Sequence, residues 1–349
     1  MFRHARRVEE ILLHNDQAIF KISTVRAQGA VAYISETRPQ LTQEAERQSA
    51  AIQASLQRIQ ADPHCVDLVE GWQNGNVRQM LNFATSVSKV LSKESDATSV
   101  KGVVFSEIVR RGASVQLVDV YDPRHVPTKH RLPFVFLRIR LLSYLRRNDG
   151  VKRLSEIRNA FYNHFGVAKS AVDEALDGLS SKRLANGGLV RIARALGEPG
   201  DSPHVILLPA GRVFITDIVY SCEFLAWAYE QSTNMPGITS IGRDGIRVDP
   251  RLQKLERAAV LVDIKLLPAF VAEHPYIVNR GRFRPADRPR LDSYRTLFGY
   301  DSGKWFIQSL ADSLASYARH RGLESPVQRA VCAKIARMVA NLDSIVQKH

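Results

Sequence analysis

The order of hydrophobic periods between Phe134 and Ile215 constrains this chain more than any other feature. Phe134, Leu137, Leu141, Leu142 and Leu145 fall on one face of a helix, and Leu154 to Phe165 predicts a second. Gly166 reads as a turn and Ala168 to Lys182 as a third helix, with Val172, Leu176 and Leu179 on its buried face. Two strand-like runs follow, Leu184 to Ile192 and Val205 to Ile215, separated by the Gly/Pro/Asp-rich loop Gly197 to Pro203. Helix, helix, turn, helix and then a hairpin with a loose tip is a restrictive order, because few small folds use it.

Helical spacing dominates on both sides of this block. Upstream, Val8 to Leu13 is helical and Ala18 to Ile22 is a short β-like run. Thr42 to Ala61 is a polar helix with a narrow stripe of Ile52, Leu56 and Ile59. Val66 to Trp72 continues helically, and Val77, Met80, Leu81, Ala84, Val87 and Leu91 mark one face of a further helix before Val104 to Arg111. Composition changes after Gly112, where Val115 to Tyr121 alternates like a strand and Asp122 to Val126-Pro127 is a loop. Downstream, helices are predicted over Asp217 to Gln231, Leu252 to Phe270, Trp305 to His320 and Val327 to Val346, with a connector from Asn279 to Pro289. The expected fold class is mainly α, multi-helical, with a central winged helix-turn-helix whose wing is a small β-hairpin. The expected domains are a helical one over 1–114, the winged helix over 115–236 and a C-terminal helical domain over 237–349.

Charge and composition narrow the function classes. The 349 residues carry 49 Lys and Arg against 35 Asp and Glu, a net charge of +14 and a pI near 9.9. Hydrophobic residues make up 45% and charged ones 24%, which is globular rather than disordered composition. The longest apolar run, Ile218 to Tyr229, contains Glu223 and falls well short of the ~20 residues of a membrane span. The basic start, Phe2 to Arg7, leads into an amphipathic pattern rather than a signal-peptide core, so a cytoplasmic location with no membrane partner is expected. Cys65, Cys222 and Cys332 are odd in number and far apart, which reads as reduced core thiols.

Catalytic motifs are missing at specific positions. The sole Gly-Lys pair, Gly303-Lys304, would need Gly at Phe298 and Ser or Thr at Trp305 to be a phosphate-binding loop. Asp249, Asp263 and Lys265 have a spacing usable by a metal-dependent nuclease, but Leu252, Leu255, Ala259, Val262, Leu266 and Phe270 put them on a helix, and that arrangement wants a strand. No enzyme activity, metal site or cofactor of the chain's own is expected.

Asn74-Gly75-Asn76-Val77-Arg78 supplies a sharp turn, a capping residue and an Arg in the first turn of a helix. This segment resembles the sensor-2 element in the helical lid of AAA+ and STAND-type ATPases, and a lid followed by a winged helix is how the C-terminal part of those proteins is ordered. The resemblance runs loosely from the N-terminus to about Pro236 and includes Leu208 to Phe214, which looks like a second wing strand running into a helix. It implies that Arg78 contacts the terminal phosphate of a nucleotide. With no P-loop core in this sequence, that contact could be made only in trans, on nucleotide bound by a partner ATPase.

Nucleic-acid contact is weighed on the basic residues. The third helix of the central block exposes Lys169 and Ser170 but also Asp173, Glu174 and Asp177, a poor surface for reading base edges. Positive charge lies instead at Lys182, Arg183, Arg191 and Arg194, at the helix end and wing. Arg280, Arg282, Arg284, Arg288 and Arg290, interleaved with Phe283 and prolines, form a segment able to track phosphates. The run Lys129 to Arg147 holds six basic and no acidic residues, and Arg138, Arg140, Arg146 and Arg147 are expected to snorkel outward from its helix. The sequence therefore favours a non-catalytic protein that binds the DNA or RNA backbone or regulates a partner. A protein-interaction subunit with no nucleic-acid role remains the alternative.

Overall fold

The computed structural model describes residues 18–74, 76–93, 100–112, 137–180, 188–193, 203–232, 235–238, 247–274, 286, 288–299 and 302–348. It is mainly helical with one small sheet, and the chain separates into two compact units, Met1–Gly112 and Ala113–His349. Both the block read as a winged helix and the C-terminal helices lie in the second unit.

The first unit contains α1 (Ala18–Thr37), α2 (Thr42–Gln60), α3 (Pro63–Trp72), α4 (Val77–Leu91) and α5 (Val100–Gly112). Ala18 to Ile22, β-like in isolation, is the start of α1. The helix as a whole packs on α2 and α4, and that setting overrides the local strand propensity. The narrow stripe on α2 buries Leu56 and Ile59, and α4 buries Met80, Leu81, Ala84, Val87 and Leu91, as the spacing required. Asp62 accepts from the backbone N–H groups of His64 and Cys65, and Pro63 opens α3, so that helix begins with both of its N-terminal signals in place.

In the second unit, α6 (Leu137–Arg147) leads into β1 (Val151–Arg153), α7 (Leu154–Phe165) and α8 (Lys169–Ser180). Then come β2 (Val190–Ala193), β3 (His204–Leu207) and the single turn α9 (Pro209–Val213). The sheet is antiparallel in the order β1-β3-β2, with Val151 opposite Ile206 and Val190 opposite Leu207. The run expected to continue as a strand to Ile215 stops at Leu207. Pro209 starts α9 instead, which passes into a π-helical turn over Phe214–Ile218. A side chain at Gly211 would place its Cβ 2.3 Å from the Leu189 carbonyl oxygen, so only glycine lets α9 lie against the sheet.

The unit continues through α10 (Cys222–Gln231), α11 (Pro250–Leu261) and, after a π-helical turn over Val262–Leu266, α12 (Leu267–Glu273). It ends with α13 (Arg288–Phe298), α14 (Ser302–His320) and α15 (Pro326–Lys348). Helix α13 was hidden in the sequence behind the Arg/Pro-rich connector, although Leu291, Tyr294, Leu297 and Phe298 recur at helical spacing and are buried. None of the described helices is long and apolar enough to cross a membrane. Cys65 and Cys222 are buried, Cys332 is half-buried, and all three are free thiols.

Candidate nucleic-acid interface

Helices α7 and α8 are joined by a short turn that Gly166 makes possible. Its φ of +66° is left-handed, and its N–H returns to the carbonyls of the last turn of α7. Leu154, Ile157 and Phe161 of α7 and Val172, Ala175, Leu176 and Leu179 of α8 are buried, which turns Lys169, Ser170, Glu174 and Asp177 to solvent. Lys169 sits at the start of α8 with its Nζ 5.9 Å from the ring centroid of the exposed Tyr162. Asp173, expected to face a ligand, is held instead by Arg158 through two hydrogen bonds of 2.6 and 2.7 Å. The exposed face of α8 is therefore less acidic than its sequence indicated.

On the sheet, alternation puts Arg191, Ile206 and Val151 in one cross-strand row and Ala193, His204 and Arg153 in the next. Val205 and Leu207 point the other way into the core. Arg191 is exposed on the edge strand β2, where a wing contact would need it. Lys182, Arg183, Arg194, Arg280, Arg282 and Arg284 lie outside the described residues, as does Val115 to Tyr121.

Arg288 and Arg290, adjacent in the sequence reading, part company at the start of α13. Arg288 is exposed, with its Nε 3.9 Å from Asp292. Arg290 turns inward, donates from Nε to the Glu273 carbonyl at 2.6 Å and lies 5.8 Å from the Tyr294 ring centroid, so it is engaged in packing. In the first unit, Asn76 caps α4 by accepting from the Gln79 N–H, and Arg78 is exposed in the first helical turn.

The expectation that Arg138 and Arg140 point outward is overturned. Helix α6 is buried on nearly every side, with Leu137 to Leu142 all buried. Arg140 finds Glu273 of α12, donating from Nη2 at 2.8 Å and Nε at 3.3 Å, and its guanidinium lies 5.4 to 5.7 Å from the centroids of Tyr294, Phe298 and Phe306. The Tyr294 hydroxyl donates to the same Glu273 oxygen at 3.1 Å. Burial alone would favour the neutral guanidine, but Glu273 outweighs it and pushes the Arg140 pKa upward. His274 beside it is fully buried, and its Nδ1 lies 3.1 Å from the Phe270 carbonyl, to which it must donate. Burial, together with the charges of Arg140 and Arg290, drives its pKa well below the usual histidine value. This interior centre escaped the sequence reading. Its one legible signal was an arginine in the middle of a Leu/Ile-rich helix.

The residues of the alternative nuclease arrangement are dispersed in role. Asp249 caps α11, Asp263 pairs with Lys334 at 2.8 Å, and Lys265 reaches the Ser232 hydroxyl. No group of three metal-ligating side chains occurs among the described residues. Compared with known proteins, the chain matches no family model, no curated sequence and no solved structure.

Proposed function

We propose that this protein is a non-catalytic nucleic-acid-binding protein built on a winged helix, with α7 and α8 as the helix-turn-helix and β2-β3 as the wing. The observation that carries the reading is the element order α6-β1-α7-α8-β2-β3 with sheet order β1-β3-β2, which leaves Lys169 and Arg191 exposed on the start of α8 and the edge strand. With Asp173 neutralised by Arg158, these two exposed cations, which make no ion pair with a described residue, would meet phosphates. Backbone contact without base readout fits this surface, because Ser170, Glu174 and Asp177 offer little to purine edges.

The test is a salt titration of duplex binding. The wild-type affinity falls steeply as salt rises, and changing both Lys169 and Arg191 to Ala reduces the slope of log K against log salt by about 2. The triple change of Arg280, Arg282 and Arg284 to Ala measures the share of the connector. Absence of binding at low salt, or affinity indifferent to salt, overturns the reading in favour of a protein-interaction subunit, which the exposed Glu174 and Asp177 would suit.

The resemblance to the C-terminal part of STAND and AAA+ ATPases adds a role for the first unit. In this role Arg78 would reach nucleotide held by a separate P-loop ATPase, a reading supported by its exposure in the first turn of a capped helix. Its test is whether such an ATPase, encoded beside this chain, co-purifies with it and loses turnover when Arg78 becomes Ala.

A further inference from the structure

We infer that the exposed indole of Trp305, with Arg146 against it, is a stacking platform for unpaired bases of single-stranded nucleic acid. The inference takes its ligand class from the reading above but rests on a different surface of the same unit.

Trp305 lies in the first turn of α14 with 38% of its surface exposed, whereas Trp72 is 2% exposed. A large aromatic ring kept in water invites a reason. Its orientation is fixed on two sides: Tyr220 meets it edge-on at 5.1 Å and 76°, and the Arg146 guanidinium lies 5.6 Å from its centroid. A ring already held by its neighbours has little rotamer freedom left to lose on binding.

Arg146 belongs to a group of arginines around the end of α6. Arg146 and Arg147 end α6, both exposed, and Arg147 donates to the Arg295 carbonyl at 3.3 Å. Gly150 bonds back to Leu145 at this helix end, and the exposed Arg212 covers it, with Nη2 2.8 Å from where a Cβ would stand. None of these three arginines makes an ion pair with a described residue; Asp149 is the acid nearest Arg146 and Arg147 in sequence, and Asp217 the acid nearest Arg212. Lys304, next to Trp305, is taken up by Asp343 at 2.8 Å. The carbonyls ending α6 account for arginines here, but not for an indole left in solvent beside them.

Arginines that neutralise phosphates around a flat ring are the two components of single-strand recognition. A duplex keeps its base faces stacked inside, so a ring of this kind engages unpaired bases.

The experiment compares full-length wild type and variants on a single-stranded oligothymidylate and on a duplex. Trp305→Ala is expected to weaken single-strand binding about tenfold while duplex affinity is unchanged, and Trp305→Phe to restore most of the loss. Wild-type indole fluorescence is quenched by the single strand, and the quench is absent in Trp305→Phe. Changing Arg146 and Arg147 to Ala lowers the single-strand salt slope by about 1.4. Lys169→Ala with Arg191→Ala weakens only the duplex, so the two surfaces are read separately. Duplex binding with no single-strand binding overturns this inference and leaves the winged-helix reading standing. Single-strand affinity indifferent to Trp305→Ala overturns it as well, as does Trp305-dependent binding of polyglutamate without binding of either nucleic acid.

Discussion

Two arginine–carboxylate pairs in the second unit do opposite things with the same chemistry. Arg140 and Glu273 are buried among aromatic rings and tie α6 to α12 and α13 across 133 residues of sequence. Arg158 and Asp173 lie half in water and tie α7 to α8 across 15. The interior pair is an all-or-nothing element, since each charge is tolerable only while the other is present. The surface pair contributes little to stability and instead sets how much negative charge α8 presents. Location, rather than geometry, separates a fold-defining contact from a charge-tuning one.

The comparison breaks most readily at Glu273. Glu273→Gln leaves the Arg140 guanidinium buried without its counter-charge, and urea denaturation should show a loss of about 3–5 kcal/mol. Replacing both partners, Arg140→Met with Glu273→Leu, should recover most of that loss. If the double variant is no better than the single, the pair has a role beyond mutual neutralisation.

A second effect comes from His274 and is read against pH. Its folded pKa lies well below the ordinary 6.5 because burial and two nearby arginines disfavour the cation. Below pH 6.5 the unfolded chain therefore binds a proton that the folded one refuses. Stability contributed by neutral His274 is present at pH 7 and above and is lost as pH falls, with a slope of at most about 1.4 kcal/mol per pH unit. Denaturation curves at pH 7.5, 6 and 5 check this, and His274→Gln should flatten the dependence.

The smallest effect belongs to the surface pair. A double-mutant cycle on Arg158→Ala and Asp173→Ala should give a coupling of about 0.2–1 kcal/mol, within the range of exposed ion pairs. Its larger consequence is in binding. Arg158→Ala alone frees the Asp173 charge and weakens duplex affinity more than the double variant does. Equal affinities for the two would separate Asp173 from the proposed interface.

The same contrast explains what could be read from the sequence. Helices with one apolar face, such as α4 and α7, were legible because their partners need only be apolar, and Leu154 to Phe165 matches α7 at both ends. Ala18 to Ile22 was misread because local propensity favours a strand where packing on α2 and α4 imposes a helix. The outward placement of Arg138 and Arg140 failed for a related reason. Periodicity assigns a solvent side to every amphipathic helix, but α6 has almost none, and the acid that makes Arg140 tolerable is remote in sequence. In the candidate interface, Lys169 and Arg191 were recognisable as exposed cations, whereas the Arg158 clasp on Asp173 depends on how two helices cross. The exposure of Trp305 is not legible in the sequence, since exposure of one face of a ring has no sequence signature.

The long reach from Arg140 to Glu273 also sets a schedule for synthesis. At roughly 5–20 residues per second, the chain emerging from a ribosome carries an unmatched Arg140 for about 7–27 s before Glu273 is made. Throughout that interval α6 has no reason to bury its charge, so the second unit must wait for its C-terminal helices. The first unit, whose contacts close within its own 112 residues, is under no such delay. A stalled or truncated chain ending before Glu273 would display the apolar sides of α6 with an arginine between them, a form that chaperones and proteases recognise.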